Sequence, residues 1–292
     1  MKKTVILCAL VCFLGFQSEV QVSADGSKPI KDFTGQKETS SFSLDATMEF
    51  AIKTAEQGDM KSQYYLGSSY YYGLGVTKDY KKAEKWLTKA AEQGNSDAQG
   101  LLGQMYYYGQ GVKQDYDKAE DLLTMAAEQG DFQSPLYLGW IYYEGQKQDY
   151  KKAEEWYAKA AEQGNADAQY ILGLSYIIGQ GVAQDNKKAE ELLAKAGEQG
   201  HAEASKTIGS MYYVGEIFPK NNKLAFEWLT KSAEQGHAEA QHVLGTLYFA
   251  GKEMPMNKTE AFKWLVKAAK QGNISSQELL DILCKQSPWA CK

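Results

Sequence analysis

Arginine is missing from this sequence: all 32 basic residues are Lys. Arg is the usual bidentate reader of phosphates and guanine edges. An acidic chain of net charge −5 that lacks it is a poor nucleic-acid binder. Biased base composition in the gene explains the missing residue type equally well. Proline is limited to 5 residues, too few for a collagen-like or broadly disordered chain, and a hydrophobic content of 43% is that of a globular protein. No Ser-x-x-Lys and no Gly-x-Ser-x-Gly occurs, so neither common serine-nucleophile arrangement is available. The three histidines, His201, His237 and His242, lack metal-ligand spacing. The sequence therefore predicts no enzyme, no metal and no cofactor.

Long hydrophobic runs are also lacking. The longest, residues 4–16, has 13 residues, against roughly 20 for a membrane-spanning helix. It follows Lys2 and Lys3 and precedes Val22-Ser23-Ala24, the pattern of a secretory signal peptide over residues 1–24. Cys12 suggests a lipoprotein, but Val11 stands where that cleavage site needs a small residue. The expectation is an exported chain, periplasmic or secreted, with no membrane span after cleavage. Residues 25–43, polar and without apolar period, read as a flexible leader. Cleavage leaves two cysteines, Cys284 and Cys291. In an oxidising compartment such a pair suggests a disulfide, with Pro288 between them turning the chain back. A free pair is the alternative.

What is abundant is repetition. The phrase Ala91-Glu92-Gln93-Gly94 recurs in variants ending at Gly58, Gly94, Gly130, Gly164, Gly200, Gly236 and Gly272, at intervals of 36, 36, 34, 36, 36 and 36 residues. Such a period marks a repeat architecture. Residues 44–57 form an N-terminal half-unit. Six units start at 59, 95, 131, 165, 201 and 237, and residues 273–292 are the C-terminal cap. In each first helix a Gly (67, 103, 139, 173, 209, 245) sits where Ala would be better by about 1 kcal/mol. Repeating that cost six times predicts a second helix packed closer than a side chain allows. Asp79, Asp115, Asp149, Asp185, Asn221 and Asn257 are the expected N-caps of the second helices. There Trp86, Leu122, Trp156, Leu192, Trp228 and Trp264 share an apolar stripe with the Ala three before and the Ala or Ser four beyond.

A unit carrying Leu66, Gly67, Tyr70, Gly73, Gly75, Val76, Asp79, Ala83, Trp86, Ala90, Ala91 and Gly94 in these places resembles the Sel1-like repeat family, relatives of tetratricopeptide repeats. The resemblance covers about residues 44 to 273. It implies an all-α, right-handed superhelical solenoid of helix–turn–helix pairs with half-repeat caps. It also implies a protein-docking surface on the concave, first-helix side. Units five and six depart at Gly215-Glu216-Ile217-Phe218-Pro219 and Gly251-Lys252-Glu253-Met254-Pro255, which leaves those loops open.

Comparison of units separates scaffold from surface. The arc at slots 64, 68 and 72 changes freely while the opposite arc does not. This arc is rich in aromatic and aliphatic residues, an expected partner-binding strip: Tyr64, Tyr72, Gln104, Tyr108, Leu136, Trp140, Glu144, Tyr170 and Leu174. Burial between neighbouring first helices is the competing reading. Unit three has a loop two residues shorter (Glu144-Gly145-Gln146-Lys147), an early Pro135, and Trp140 on this arc, which makes it the expected hot spot. The functional expectation is a non-enzymatic protein-binding scaffold or adaptor of the cell envelope or extracellular space. A second reading, also resting on the resemblance, is a periplasmic immunity protein that occludes a toxic effector such as a lipase. A β-lactamase-like hydrolase is the weaker third, because the relatives so described carry Cys pairs through their repeats. A glycan or peptidoglycan ligand stays open.

Overall fold

The computed structural model describes residues 44–145, 148–251 and 256–291. The expected signal peptide (1–24) and leader (25–43), and parts of the unit-three and unit-six loops, lie outside the described residues. The described residues form fourteen α-helices and no strand. α1 (Leu44–Glu56) is the half-unit. The six pairs are α2 (Met60–Tyr72) with α3 (Tyr80–Glu92), α4 (Ser96–Tyr108) with α5 (Tyr116–Glu128), α6 (Ser134–Glu144) with α7 (Tyr150–Glu162), α8 (Ala166–Ile178) with α9 (Asn186–Glu198), α10 (Ala202–Val214) with α11 (Asn222–Glu234), and α12 (Ala238–Ala250) with α13 (Lys258–Lys270). α14 (Ile274–Gln286) and a 3-10 turn (Pro288–Cys291) close the array. The all-α repeat architecture expected from the period is borne out.

Each boundary has a side-chain cause. Second helices start on Asp or Asn: Asp79 accepts from the backbone N–H groups of Lys81 and Lys82, both at 3.1 Å. First helices start on Asp59, Asn95, Asn165, His201 and His237, the last two capping through Nδ1, which accepts from Ala204 N at 3.0 Å and Ala240 N at 3.3 Å. These two histidines are helix caps, each satisfying donors that a helix start leaves unpaired. Second helices end on the repeated phrase. Gly94 takes φ +88°, Gly94 N–H donates to Ala91 O at 2.9 Å, and Asn95 N–H donates to Ala90 O at 3.1 Å. This is the left-handed glycine stop that satisfies the last carbonyls.

The Gln of that phrase has a further role that its place at a helix end did not suggest. Gln93 Nε2 donates to Gln63 Oε1 at 2.6 Å, and Gln63 Nε2 donates to Ala55 O at 3.0 Å in the preceding helix. The same relay runs Gln129–Gln99–Ala91, Gln199–Gln169–Ala161 and Gln271–Gln241–Ala233. Pro135 and Ser205 occupy the middle slot in units three and five, and the relay is broken there.

The helical glycines are contact points. A Cβ on Gly67 would lie 2.8 Å from Leu87 Cγ, and one on Gly209 would lie 2.9 Å from Leu229 Cγ and 3.0 Å from its backbone N. The partners Leu87, Leu123, Tyr157, Leu193, Leu229 and Leu265 are all buried at 1% exposure or less. They stand one residue after the Trp/Leu stripe, which is the outer wall of the core: Trp86, Trp228 and Trp264 are buried, while Leu122, Trp156 and Leu192 are half-buried. The loop in unit five is also resolved in kind. Phe218 fills the slot of Val76, buried against Tyr212 at 5.5 Å between centroids.

Asp281 occupies the slot that glycine holds in every full unit, so a further second helix would bury a carboxylate. The 3-10 turn folds back instead, and it brings Cys291 to Cys284 with Cα atoms 5.7 Å apart.

Candidate docking face

The variable arc is graded along the helix axis. Slot 64, near the helix starts, is a junction between units. Tyr64 is half-buried, and its phenol is pushed up to about 12 by burial first, then by Asp97, Tyr72 and Asp131. At Gly100 a Cβ would meet Asp131 Oδ2 at 3.3 Å and Ser134 Oγ at 3.4 Å, so unit two has no side chain where the next unit's cap folds over it. The Tyr170 ring lies tilted against the His201 ring, centroids 4.7 Å apart. Lys206 Nζ reaches Glu203 at 2.5 Å and Glu239 at 3.0 Å, and His242 Nδ1 meets Ser276 Oγ at 2.8 Å. At Gly100, Tyr170, Lys206 and His242 the slot-64 residue thus meets a group of the next unit, and it varies with that group.

Three expected contact residues are therefore interior. Leu136, Tyr170 and Leu174 are only 2%, 4% and 6% exposed. Leu136 packs in a core with Tyr157 of α7 and Leu172 of α8, and Tyr170 and Leu174 in one with Ala189 of α9 and Ile208 of α10, so in the free chain they offer no surface. Gln104 is half-buried.

At the other end of the arc the helices present side chains outward. Tyr72 is 58% and Tyr108 42% exposed, while Trp140 and Glu144 are half-buried. Behind these stands a ring cluster. Tyr107 stacks on Trp140 at 6.2 Å, Tyr137 meets Trp140 edge-on at 5.0 Å, and Tyr108 meets Tyr137 at 6.0 Å. Tyr71 braces Tyr72 and Tyr107 braces Tyr108, each pair 4.8 Å apart. Tyr107 Oη donates to Glu144 Oε2 at 3.2 Å. Burial, then Glu144, pushes the Tyr107 phenol far up; burial, then Tyr108, does so for Tyr137. Both stay neutral hydrogen-bond donors. Tyr107 and Tyr137 lie outside the variable arc, so unit comparison did not single them out; the Tyr-Tyr doublets at 71–72 and 107–108 were the available signal.

Unit three also holds a buried acid. Glu154 is 2% exposed; Ser175 Oγ donates to Oε1 at 2.7 Å, and Oε2 has no hydrogen-bond partner. In the flanking units the equivalent Glu120 and Glu190 accept from the hydroxyls of Tyr142 and Tyr212. Burial pushes the Glu154 carboxyl up to about 7, with the Ser175 bond pulling the other way. Gly181 lies over it: a Cβ there would be 2.5 Å from Glu154 Cγ.

Among the described residues, no group of three or more His, Cys, Asp or Glu side chains is placed to hold a metal ion. Among them, too, no helix is long and apolar enough to cross a membrane.

The Sel1 repeat profile matches residues 61–95, 96–131, 136–165, 166–201, 208–237 and 238–273. The chain belongs to the Sel1 repeat family. Among solved structures it is similar to a Sel1 repeat protein from Oxalobacter formigenes, at 32% identity and TM-score 0.67, over 85% of this chain and 73% of that one. A protective antigen of uropathogenic Escherichia coli with an SLR fold matches at 33% identity and TM-score 0.48, over 84% of this chain and 61% of that one. An immunity protein from Pseudomonas aeruginosa, at 22% identity and TM-score 0.44 over 78% and 83%, is a more distant match. Among curated proteins, none matches the chain significantly.

Proposed function

We propose that this chain is an exported, non-enzymatic scaffold that docks a protein partner on the first-helix face of units one to three. The observation that carries the reading is the pair of exposed rings, Tyr72 and Tyr108, braced by Tyr71, Tyr107, Tyr137 and Trp140. Rings already held by packing lose little freedom on binding, and aromatic anchors of this kind dominate interface energetics. Glu144, half-buried beside them, supplies a polar handle. A photo-crosslinking residue at Tyr108 is expected to give one discrete adduct in cells, whereas the same residue at Glu191, exposed on α9, gives none. Adducts from both positions, or from neither, would sink the docking reading. An immunity role requires the adduct to be one toxic enzyme held at nanomolar affinity or better, and an adaptor role a structural partner held more weakly.

Export rests on residues 1–24, and it makes the Cys284–Cys291 pair a disulfide. Thiol labelling of the protein recovered from cells is expected to find neither cysteine free. Two labelled thiols would argue for a reducing compartment.

A further inference from the structure

Resting on that reading of the face, we infer that the partner segment it receives is cationic, presenting Lys or Arg side chains to the rings of Tyr72, Tyr108 and Trp140. Two independent observations lead there. The first is how the fold treats its other aromatic rings. On the second-helix side, Lys82, Lys118, Lys152 and Lys188 lie over Tyr70, Tyr106, Tyr142 and Tyr176, at 5.1, 5.1, 5.0 and 5.3 Å from the ring centroids. Lys89, Lys159, Lys231 and Lys267 lie likewise over Trp86, Trp156, Trp228 and Trp264, at 4.6, 3.7, 4.1 and 4.2 Å. Ring faces attract ammonium and guanidinium groups, more strongly when the pair is shielded from water. Among the described residues, no cation lies over Tyr72, Tyr108, Tyr137 or Trp140. The chain covers eight of its outer rings with its own lysines and leaves the two exposed ones, Tyr72 and Tyr108, without one.

The second observation is charge. Of the first helices, α4, α6 and α8 contain no Lys and carry Asp97, Glu144 and Asp167, while α2 carries one cation, Lys61, beside its Asp59 cap. Asp167 faces His201 at 3.3 Å, and Glu144 accepts from Tyr107. Asp97, by contrast, makes no ion pair among the described residues, and burial, then Asp131, pushes its carboxyl up. After burial, Asp97, Tyr72 and Asp131 all act on the Tyr64 phenol, which ties the acidic end of the face to an exposed ring. A cationic segment supplies what both features lack, and an acidic one would meet like charge. Complementary potential of this kind selects partners and speeds their encounter.

The test uses the full chain and three fluorescein-labelled peptides of equal length, alternating Leu with Lys, with Glu or with Ser, read by anisotropy. The Lys–Leu peptide is expected to bind, more weakly as salt rises. Asp97→Asn/Glu144→Gln and Tyr72→Ser/Tyr108→Ser are each expected to weaken it by about tenfold or more. Glu155→Gln/Glu191→Gln removes the same charge from exposed second-helix positions and is expected to change nothing. Equal or tighter binding of the Glu–Leu or Ser–Leu peptide overturns the inference. So does equal weakening by the second-helix control, which would reduce the effect to net charge, and so does failure to bind the Lys–Leu peptide. The docking reading fails separately, through the Tyr108 crosslink: an adduct whose contact segment has no Lys or Arg keeps that reading and sinks this one.

Discussion

Glu154→Gln is expected to raise stability by about 3 kcal/mol at about pH 8 and to leave it nearly unchanged at about pH 4. The carboxyl, ordinarily near 4.5, is pushed up to about 7 by burial. Between those values the folded chain holds a proton that the unfolded chain has released, so stability falls as pH rises. Above about 7 both states are ionised and the full cost of a buried carboxylate is felt. A tenfold difference in proton affinity between the two states is worth about 1.4 kcal/mol, which gives the magnitude. Gln keeps an acceptor for Ser175 Oγ and cannot ionise. Repeat arrays unfold in parts, so hydrogen exchange in α7 and α8 as a function of pH is the clearest readout. If the variant and the original chain show the same pH slope, Glu154 is not the titrating group.

Leu229→Ala is expected to cost about 2–5 kcal/mol, the range for emptying a fully buried leucine site. From the other side of the same contact, Gly209→Ala is expected to cost about 1–3 kcal/mol, even though Ala favours helix by about 1 kcal/mol. The reason is that its Cβ would meet the Leu229 backbone N at 3.0 Å and Ala225 O at 3.1 Å, which cannot rotate away. Urea midpoints of both variants check this. A Gly209→Ala chain as stable as the original would mean the glycine serves something other than helix approach.

The stack was legible because its causes are local and repeated. The glycine stops, the Asp and Asn caps and the packing glycines each recur at one slot, so comparison of units isolates them. The Leu87 series is harder to see because Trp86 and its equivalents are larger and define a stripe of their own, yet Leu87 is four residues after Ala83 and on the same side. The variable arc was harder still. Variation at slot 64 comes from fitting each unit to the next, as Tyr170 fits His201 and Gly100 fits Asp131, while variation at slot 72 occurs where rings reach solvent. A sequence shows both as variation. Which end of an arc is covered depends on how neighbouring helices converge, and that is a property of the assembled stack.

The central claim is that the rings at the open end of the arc belong to recognition and not to stability. The most direct measurement compares Tyr72→Ser/Tyr108→Ser with the original chain in two assays, the thermal midpoint and the yield of the partner adduct from a crosslinker at Gln104. An unchanged midpoint and loss of the adduct are predicted. A lowered midpoint with the adduct retained would return both tyrosines to the scaffold and contradict the claim.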